Sequence, residues 1–527
     1  MSLRTAALAV AASALVLAGC AAGPAASTGP GASAPAASAA TASDTFTYAI
    51  AGDPTSLNPI NTGDRWGLTV TNIVYSPLAR VEADGTVVNE LAESIEPAAD
   101  GLSVTVKLKE GITWSDGEPL TADDVVFTYT NKAVKENGNA DLLWIGDKPI
   151  KAVKVDDLTV RFELPSFSAA ALSNIATETY IIPEHVYGDV TDFSGAELDP
   201  IAVGTGPYRL TEYKRGEYLA FEANESFYGG APAIKHLTLR IVSNADTVKA
   251  ALQTGEVDAS FVTPAQIADL ANSPIDIHAY PEGRVAYLGT VAASPELSDV
   301  RVRQAVFYAL NRDDLNKAAY LSQDYFADAY SILPPSNPFA TTEVESYPQD
   351  VDKSKQLLGE AGVSGLTLTL GYAGSDPAQT LQATLIQQQL AAAGITVELA
   401  GVEPAAVYAE IEKGADSAYD LFIGGYIMGI EPDAYSLLFR TGASSNYFSY
   451  SNPATDALFD QGIAARDEAE RKTIYADLQR QIADDAVFYP IADNLKILAV
   501  NQRIGGVDAA RTAPIYTLEN FGLLTEK

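Results

Sequence analysis

One cysteine, Cys20, serves all 527 residues, so no disulfide can form within the chain. Stability must come from buried side chains alone, even in an oxidising compartment. Histidine is nearly as scarce: His185, His236 and His278 are far apart and show no metal-ligand spacing. There is no Gly-x-Ser-x-Gly elbow, no phosphate loop of the Gly-x4-Gly-Lys type and no His-Glu-x-x-His. Gly204-Thr205-Gly206 looks superficially like a dinucleotide loop, but it lacks a third glycine and Pro207 follows at once, so it reads as a turn. These absences argue against an enzyme and point to no cofactor and no bound metal. Basic residues are also few. The 34 lysines and arginines face 68 acids, for a net charge of −34. That excludes nucleic acid and the headgroups of an anionic membrane as partners. No apolar run reaches the roughly 20 residues that span a bilayer.

What the chain does have begins at its amino terminus. Arg4 precedes an uninterrupted apolar or small run at residues 6–17, the length of a signal-peptide core. The run ends in Leu17-Ala18-Gly19-Cys20, which resembles a bacterial lipobox. That resemblance implies removal of residues 1–19 and lipidation of Cys20, which would hold the protein on the outer face of the cell membrane, or on its periplasmic side in a Gram-negative cell. Residues 21–43 contain only Ala, Gly, Pro, Ser and Thr. With no charge and no periodicity, they predict a flexible tether between lipid and folded domain.

The remainder is long enough for two or three structural units. Strand and helix patterns alternate along it, which predicts an α/β fold with covered sheets. Residues 46–50 alternate as a strand, and 86–93 and 102–109 also look extended. Asp116-Gly117 marks a turn, and Thr121-Ala122-Asp123-Asp124 resembles a capping box. Residues 378–393 read as a helix. Asp376 serves as its cap, Pro377 as its first residue and Gly394 as its stop, with Leu381, Leu385 and Leu390 on one face. Strands are expected at 395–399 and 421–423, with a helix at 407–413 between them.

Four stretches together resemble the extracellular solute-binding proteins of family 5, the oligopeptide- and dipeptide-binding group. The first is Leu91-Ala92-Glu93-Ser94 and Leu108-Lys109-Glu110-Gly111-Ile112-Thr113-Trp114-Ser115-Asp116-Gly117-Glu118-Pro119-Leu120-Thr121-Ala122-Asp123-Asp124-Val125. The second is Val203-Gly204-Thr205-Gly206-Pro207-Tyr208-Arg209-Leu210, with Asn224 and Tyr228 after it. The third is Ala251-Leu252-Gln253-Thr254-Gly255-Glu256-Val257-Asp258, and the fourth is Val300-Arg301-Val302-Arg303-Gln304-Ala305 with Ala309-Leu310-Asn311-Arg312. Local physics reads these residues as scaffold: a turn, a helix cap, a bend. The resemblance implies the class II fold of periplasmic binding proteins, with two lobes joined by a hinge and an additional inserted domain. Residues 44–85, 206–290 and 498–527 would form the core of lobe 1, residues 86–205 its inserted domain, and residues 291–497 lobe 2. The chain would cross between lobes near 287–291 and return near 497–503. Such a protein works as a monomer that captures a peptide or other small solute by closing, then delivers it to the transmembrane subunits of an ABC permease.

Ligands of open α/β sheets lie beyond the carboxyl ends of strands. The candidate ligand loop therefore follows the 421–425 strand and contains Tyr426, Ile427, Met428, Gly429, Glu431 and Asp433. Peptide-binding relatives carry Trp-x-x-Asp here, and that Asp meets the peptide amino group. This chain departs from the pattern, with Tyr426 at the Trp position and Gly429 at the Asp position. Glu431 and Asp433 are the nearby acids that could substitute. Across the cleft, Asn58 follows the first strand, and Arg65 and Trp66 are expected in the Thr62-Gly63-Asp64-Arg65-Trp66 loop after it. An aromatic-lined site for an oligosaccharide, using Tyr426, Trp66 and Tyr435, is the alternative within the same fold. A secreted hydrolase and a surface adhesin are the distant alternatives.

Overall fold

The computed structural model describes residues 44–62, 64–81, 86–137, 140–193, 203–510 and 520–527. The expected signal sequence, Cys20 and the expected tether lie outside the described residues, as does Gly63.

One sheet of eleven strands runs through both halves of the molecule. Its order begins Tyr208–Lys214, Tyr218–Ala223, His236–Ile241, Thr45–Ile50, Ala259–Phe261. It continues through two long strands, Phe488–Asn501 and Ile275–Thr290, into Leu421–Tyr426, Thr367–Ala373 and Thr396–Val402. Thr45–Ile50 is parallel to both its neighbours, and Thr367–Ala373 is parallel to both of its own. Parallel pairing requires crossover helices on the faces, and the sequence supplies them between strands. A separate antiparallel sheet of four strands, Ala92–Pro97, Ser103–Leu108, Thr159–Glu163 and Lys151–Asp156, forms the inserted domain. The fold is the two-lobed α/β binding-protein architecture with an extra domain.

The two long strands join the lobes. Residues 275–281 pair with 495–501 on the lobe 1 side, while 285–289 pair with 488–493 on the lobe 2 side. The register slips between Pro281 and Val285, where four steps on one strand face two on the other. Pro281 brings no N–H to the ladder, and Gly283 has φ +69°. Together they favour a bulge at this point. A second slip follows between Ala286 and Tyr287, next to the 287–291 crossing expected from the sequence.

Each family-like stretch has a visible structural task. Thr121 and Asp124 form the capping box of the helix Ala122–Lys132. Gly117 turns a hairpin at φ +97°, and Trp114 is fully buried. A Cβ at Gly204 would sit 1.9 Å from the Val74 carbonyl oxygen, so this turn admits only glycine. Gly255 ends its helix in the left-handed conformation at φ +74°. Buried Arg303 donates to the carbonyls of Leu297, Ser298 and Asp485.

Two local expectations need correcting. The helix Pro377–Ala392 has its predicted cap, but its buried face is Gln382, Ala383, Ile386 and Leu390, while Leu381 is 48% exposed. Leu385 lies on the rim of that face, and Leu381 is a turn further round, where solvent begins. Arg65 and Trp66 belong to no loop. Asp64 caps a helix Arg65–Val74 by accepting from the N–H groups of Trp66 and Gly67.

Candidate functional site

The bulge at 281–285 has a product, which is the position of Arg284. Its guanidinium lies over Gly425 so closely that a Cβ there would be 2.1 Å from its Cζ. Glycine in a strand interior commonly marks such an approach. Arg284 Nη1 donates to Asn494 Oδ1 at 3.1 Å. Its charge is felt by the hydroxyls of Tyr320 and Tyr408, and the Tyr408 hydroxyl also meets the backbone of Gly425. Among the described residues Arg284 makes no ion pair with a carboxylate. A guanidinium at the carboxyl end of a strand, beside tyrosine hydroxyls and bonded to no carboxylate among the described residues, is suited to a carboxylate on a solute.

The strand Leu421–Tyr426 leads from there into the candidate loop. Tyr426 is committed to lobe 2. Its hydroxyl donates to the Ile332 carbonyl at 3.0 Å, and its ring packs on Tyr287, Tyr435 and Phe488. Tyr435 is fully buried in the same aromatic cluster. Ile427 and Met428 are half-buried. Gly429 has φ +69°.

The two acids of this loop are already engaged. Glu431 pairs with Arg471 at 2.6 Å, both side chains being nearly buried. Asp433 lies beside this pair and accepts from the Tyr475 hydroxyl at 3.4 Å. Burial, reinforced by the Glu431 charge, pushes its carboxyl up to about 6. The structure therefore brings Glu431 and Asp433 together around Arg471.

On the lobe 1 side, Asn58 is buried and its side chain is spent on backbone, donating to the Phe193 carbonyl at 2.9 Å and accepting from the Ile60 N–H at 3.0 Å. Trp66 meets Tyr48 edge to face and packs at a tilt on Phe261, and Arg65 lies over the Phe261 ring. Two charged residues without any sequence signal complete the picture. Lys132 ends the helix Ala122–Lys132 and is buried, its ammonium donating to the Ile60 carbonyl at 2.6 Å. Burial pushes it down to about 8, partly offset by Glu178. Glu178 follows the helix Ala171–Thr177. Its carboxyl is raised by desolvation, with Lys132 pulling the other way, yet the side chain remains accessible.

The lobes meet in this structure. Ala169 donates to the Ile463 carbonyl at 2.9 Å. Arg466 donates to the Asp100 carbonyl at 2.9 Å and lies 4.2 Å from the centre of the Phe167 ring. Inside that rim, Glu178 Oε1 is 4.0 Å from the position a Cβ would take on Gly429. Among the described residues no group of three or more His, Cys, Asp or Glu is arranged to hold a metal ion, and no helix is long and apolar enough to cross a membrane.

This two-lobed fold, with its charged and aromatic cleft, is that of a solute receptor, and comparison with known proteins gives its family. Residues 86–448 match the model of the bacterial extracellular solute-binding proteins, family 5 (middle part). The chain belongs to that family, and is thus an extracytoplasmic binding protein, not an enzyme. It is 30% identical over 474 residues to the glutathione-binding protein GsiB of Pectobacterium atrosepticum, covering 87% of this chain and 90% of that protein. It is 27% identical over 502 residues to the oligopeptide-binding protein AppA of Bacillus subtilis, covering 90% of each. Among solved structures, the ABC transporter substrate-binding protein CtaP of Listeria monocytogenes aligns with a TM-score of 0.88 at 36% identity, over 92% of this chain and 100% of that one.

Arg284, Lys132 and Glu178 escaped the sequence reading. Arg284 had a usable signal, because Pro281 and Gly283 just before it announce a bulge. The other two had none: a lysine ending one helix and a glutamate following another are ordinary surface features until the fold closes over them.

Proposed function

We propose that the chain captures a short peptide or peptide-like zwitterion between its lobes and hands it to the transmembrane subunits of an ABC importer, held at the membrane by a lipid on Cys20. The observation that carries the ligand class is Arg284, a cation at the cleft without an acid partner among the described residues. It suits the carboxylate of a peptide and offers little to a neutral sugar. The names of the relatives support the same class: one binds glutathione, itself a tripeptide, and another oligopeptides. The aromatic residues that an oligosaccharide would stack on are used elsewhere, since Tyr435 is buried and the Tyr426 hydroxyl is committed.

Calorimetric titration of the mature protein with pools of di- to pentapeptides, glutathione and neutral oligosaccharides tests this reading. Binding to a member of the peptide class, weakened ~10-fold or more in Arg284→Ala, is expected. Binding to sugars alone would overturn it. Cys20→Ala should move the protein from the membrane fraction to the medium or periplasm; retention on the membrane would remove the anchor from the account.

A further inference from the structure

Glu178 is an acid at the lobe interface whose carboxylate meets no partner side chain among the described residues. Three others nearby are accounted for: Glu431 pairs with Arg471, Asp433 is buried against Tyr475, and Asp100 contributes only its backbone carbonyl to Arg466. Glu178 makes no hydrogen bond or ion pair with any described residue. Lys132 lies near enough to influence it, but the Lys132 ammonium is spent on the Ile60 carbonyl. A carboxylate that desolvation penalises gains from a cation brought beside it. Keeping one at the point where two lobes meet makes sense when a cation joins it there.

The geometry across the cleft is specific. Glu178 belongs to the inserted domain of lobe 1, and Gly429 to the loop of lobe 2. The carboxylate oxygen Oε1 is the nearest atom to the Cβ position of residue 429, at 4.0 Å. Because 429 is glycine with φ +69°, no side chain stands between that carboxylate and the space over the loop. A β-branched or bulky residue there would fill this space and strain the backbone. Four residues upstream, over Gly425, stands the Arg284 guanidinium. The chain between residues 425 and 429 spans at most ~14 Å. An acid and a base are therefore offered to one ligand across a distance that a peptide of a few residues bridges.

We infer that Glu178 receives a primary ammonium group of the captured solute, reaching from lobe 1 over Gly429 of lobe 2 while Arg284 holds the opposite end. The inference rests on the peptide-class reading above and narrows it to solutes with a free amino group. It also makes recognition of that group dependent on closure, because the acid and the loop belong to different lobes. Lys132 acts as a positioning residue: its charge favours the ionised form of Glu178 against desolvation.

The test uses the mature full chain and calorimetry with trialanine, a tripeptide pool and glutathione, each with a free and with an acetylated amino group. In the wild type the free form of the best-bound probe should bind ~10- to 100-fold more tightly than its acetylated form. Glu178→Gln should erase most of that ratio while leaving the melting temperature within a few degrees of wild type. Gly429→Asp in the Glu178→Gln background should restore a preference for the free amine. Aspartate tolerates the left-handed backbone, and its carboxylate would rise into the space Glu178 occupies. If Glu178→Gln keeps the wild-type ratio, or acetylation costs the wild type nothing, Glu178 is not the amine receptor, though the peptide reading stands. If no probe binds the wild type, both fall. A Glu178→Gln protein that loses binding to free and acetylated probes alike, with no rescue by Gly429→Asp, would make the residue structural and also overturn the inference.

Discussion

Asp433 shows how far a single side chain can be moved from its ordinary chemistry. An exposed aspartate loses its proton near 3.8, but here burial and the neighbouring Glu431 hold the carboxyl up to about 6, against the pull of Arg440 and Arg471. The folded state thus binds its proton more tightly than the unfolded state does. Stability from this group is complete below pH 4 and is lost as pH rises through about 6. Asp433→Asn keeps a neutral side chain that can still accept from Tyr475. It should stabilise the protein by roughly 1–3 kcal/mol at pH 8 and by little at pH 4. Melting curves at the two pH values check this, and an equal gain at both would contradict it. In the sequence, Glu431 and Asp433 look like free acids close to a missing one. Arg471, which claims Glu431, lies forty positions along, and nothing local announces it. Caps and turns were legible because Asp376, Thr121 and Gly117 act on their own neighbours. Partners brought together by the fold, such as Glu178 and Gly429, were not.

Among the elements, glycines separate scaffold from site. At Gly204 an added Cβ would press on the carbonyl of Val74 at 1.9 Å. That obstacle is backbone, so Gly204→Ala should destabilise the protein by about 3 kcal/mol or more. At Gly425 the obstacle is the guanidinium of Arg284 at 2.1 Å, the far end of a flexible side chain. Gly425→Ala should therefore leave melting nearly unchanged and weaken peptide binding about as much as Arg284→Ala does. Thermal melts and titrations of the two variants should give opposite profiles, and a Gly425→Ala protein that binds normally would remove Arg284 from the site. Element order and type were readable throughout the later chain because helix and strand periods alternate there. The face of Pro377–Ala392 was misjudged because apolar identity alone drew attention to Leu381, while the packed row includes the polar Gln382. The pairing of the two long strands breaks at 281–285 and again at 286–287, beside the 287–291 crossing expected from the sequence, and Pro281 and Gly283 mark the first break.

At the scale of the whole molecule, two long strands carry the connection and the rim residues hold the lobes together. Arg466 joins them by one charge-assisted hydrogen bond to Asp100 and one contact with the Phe167 ring. Because these contacts bridge the lobes, Arg466→Ala should speed release of a bound peptide by roughly tenfold without lowering the melting temperature of the ligand-free protein. Stopped-flow tryptophan fluorescence measures that rate, and an unchanged rate would show that the rim does not retain the ligand. The central claim is that the space inside this rim holds a peptide with a free amino end and a carboxylate. Mass spectrometry of the small molecules released on denaturing protein purified from its own cells tests it most directly. The account predicts short peptides or a glutathione-like compound with an unmodified amino group. Recovery of an oligosaccharide, or of a metal chelate containing no peptide, would contradict it.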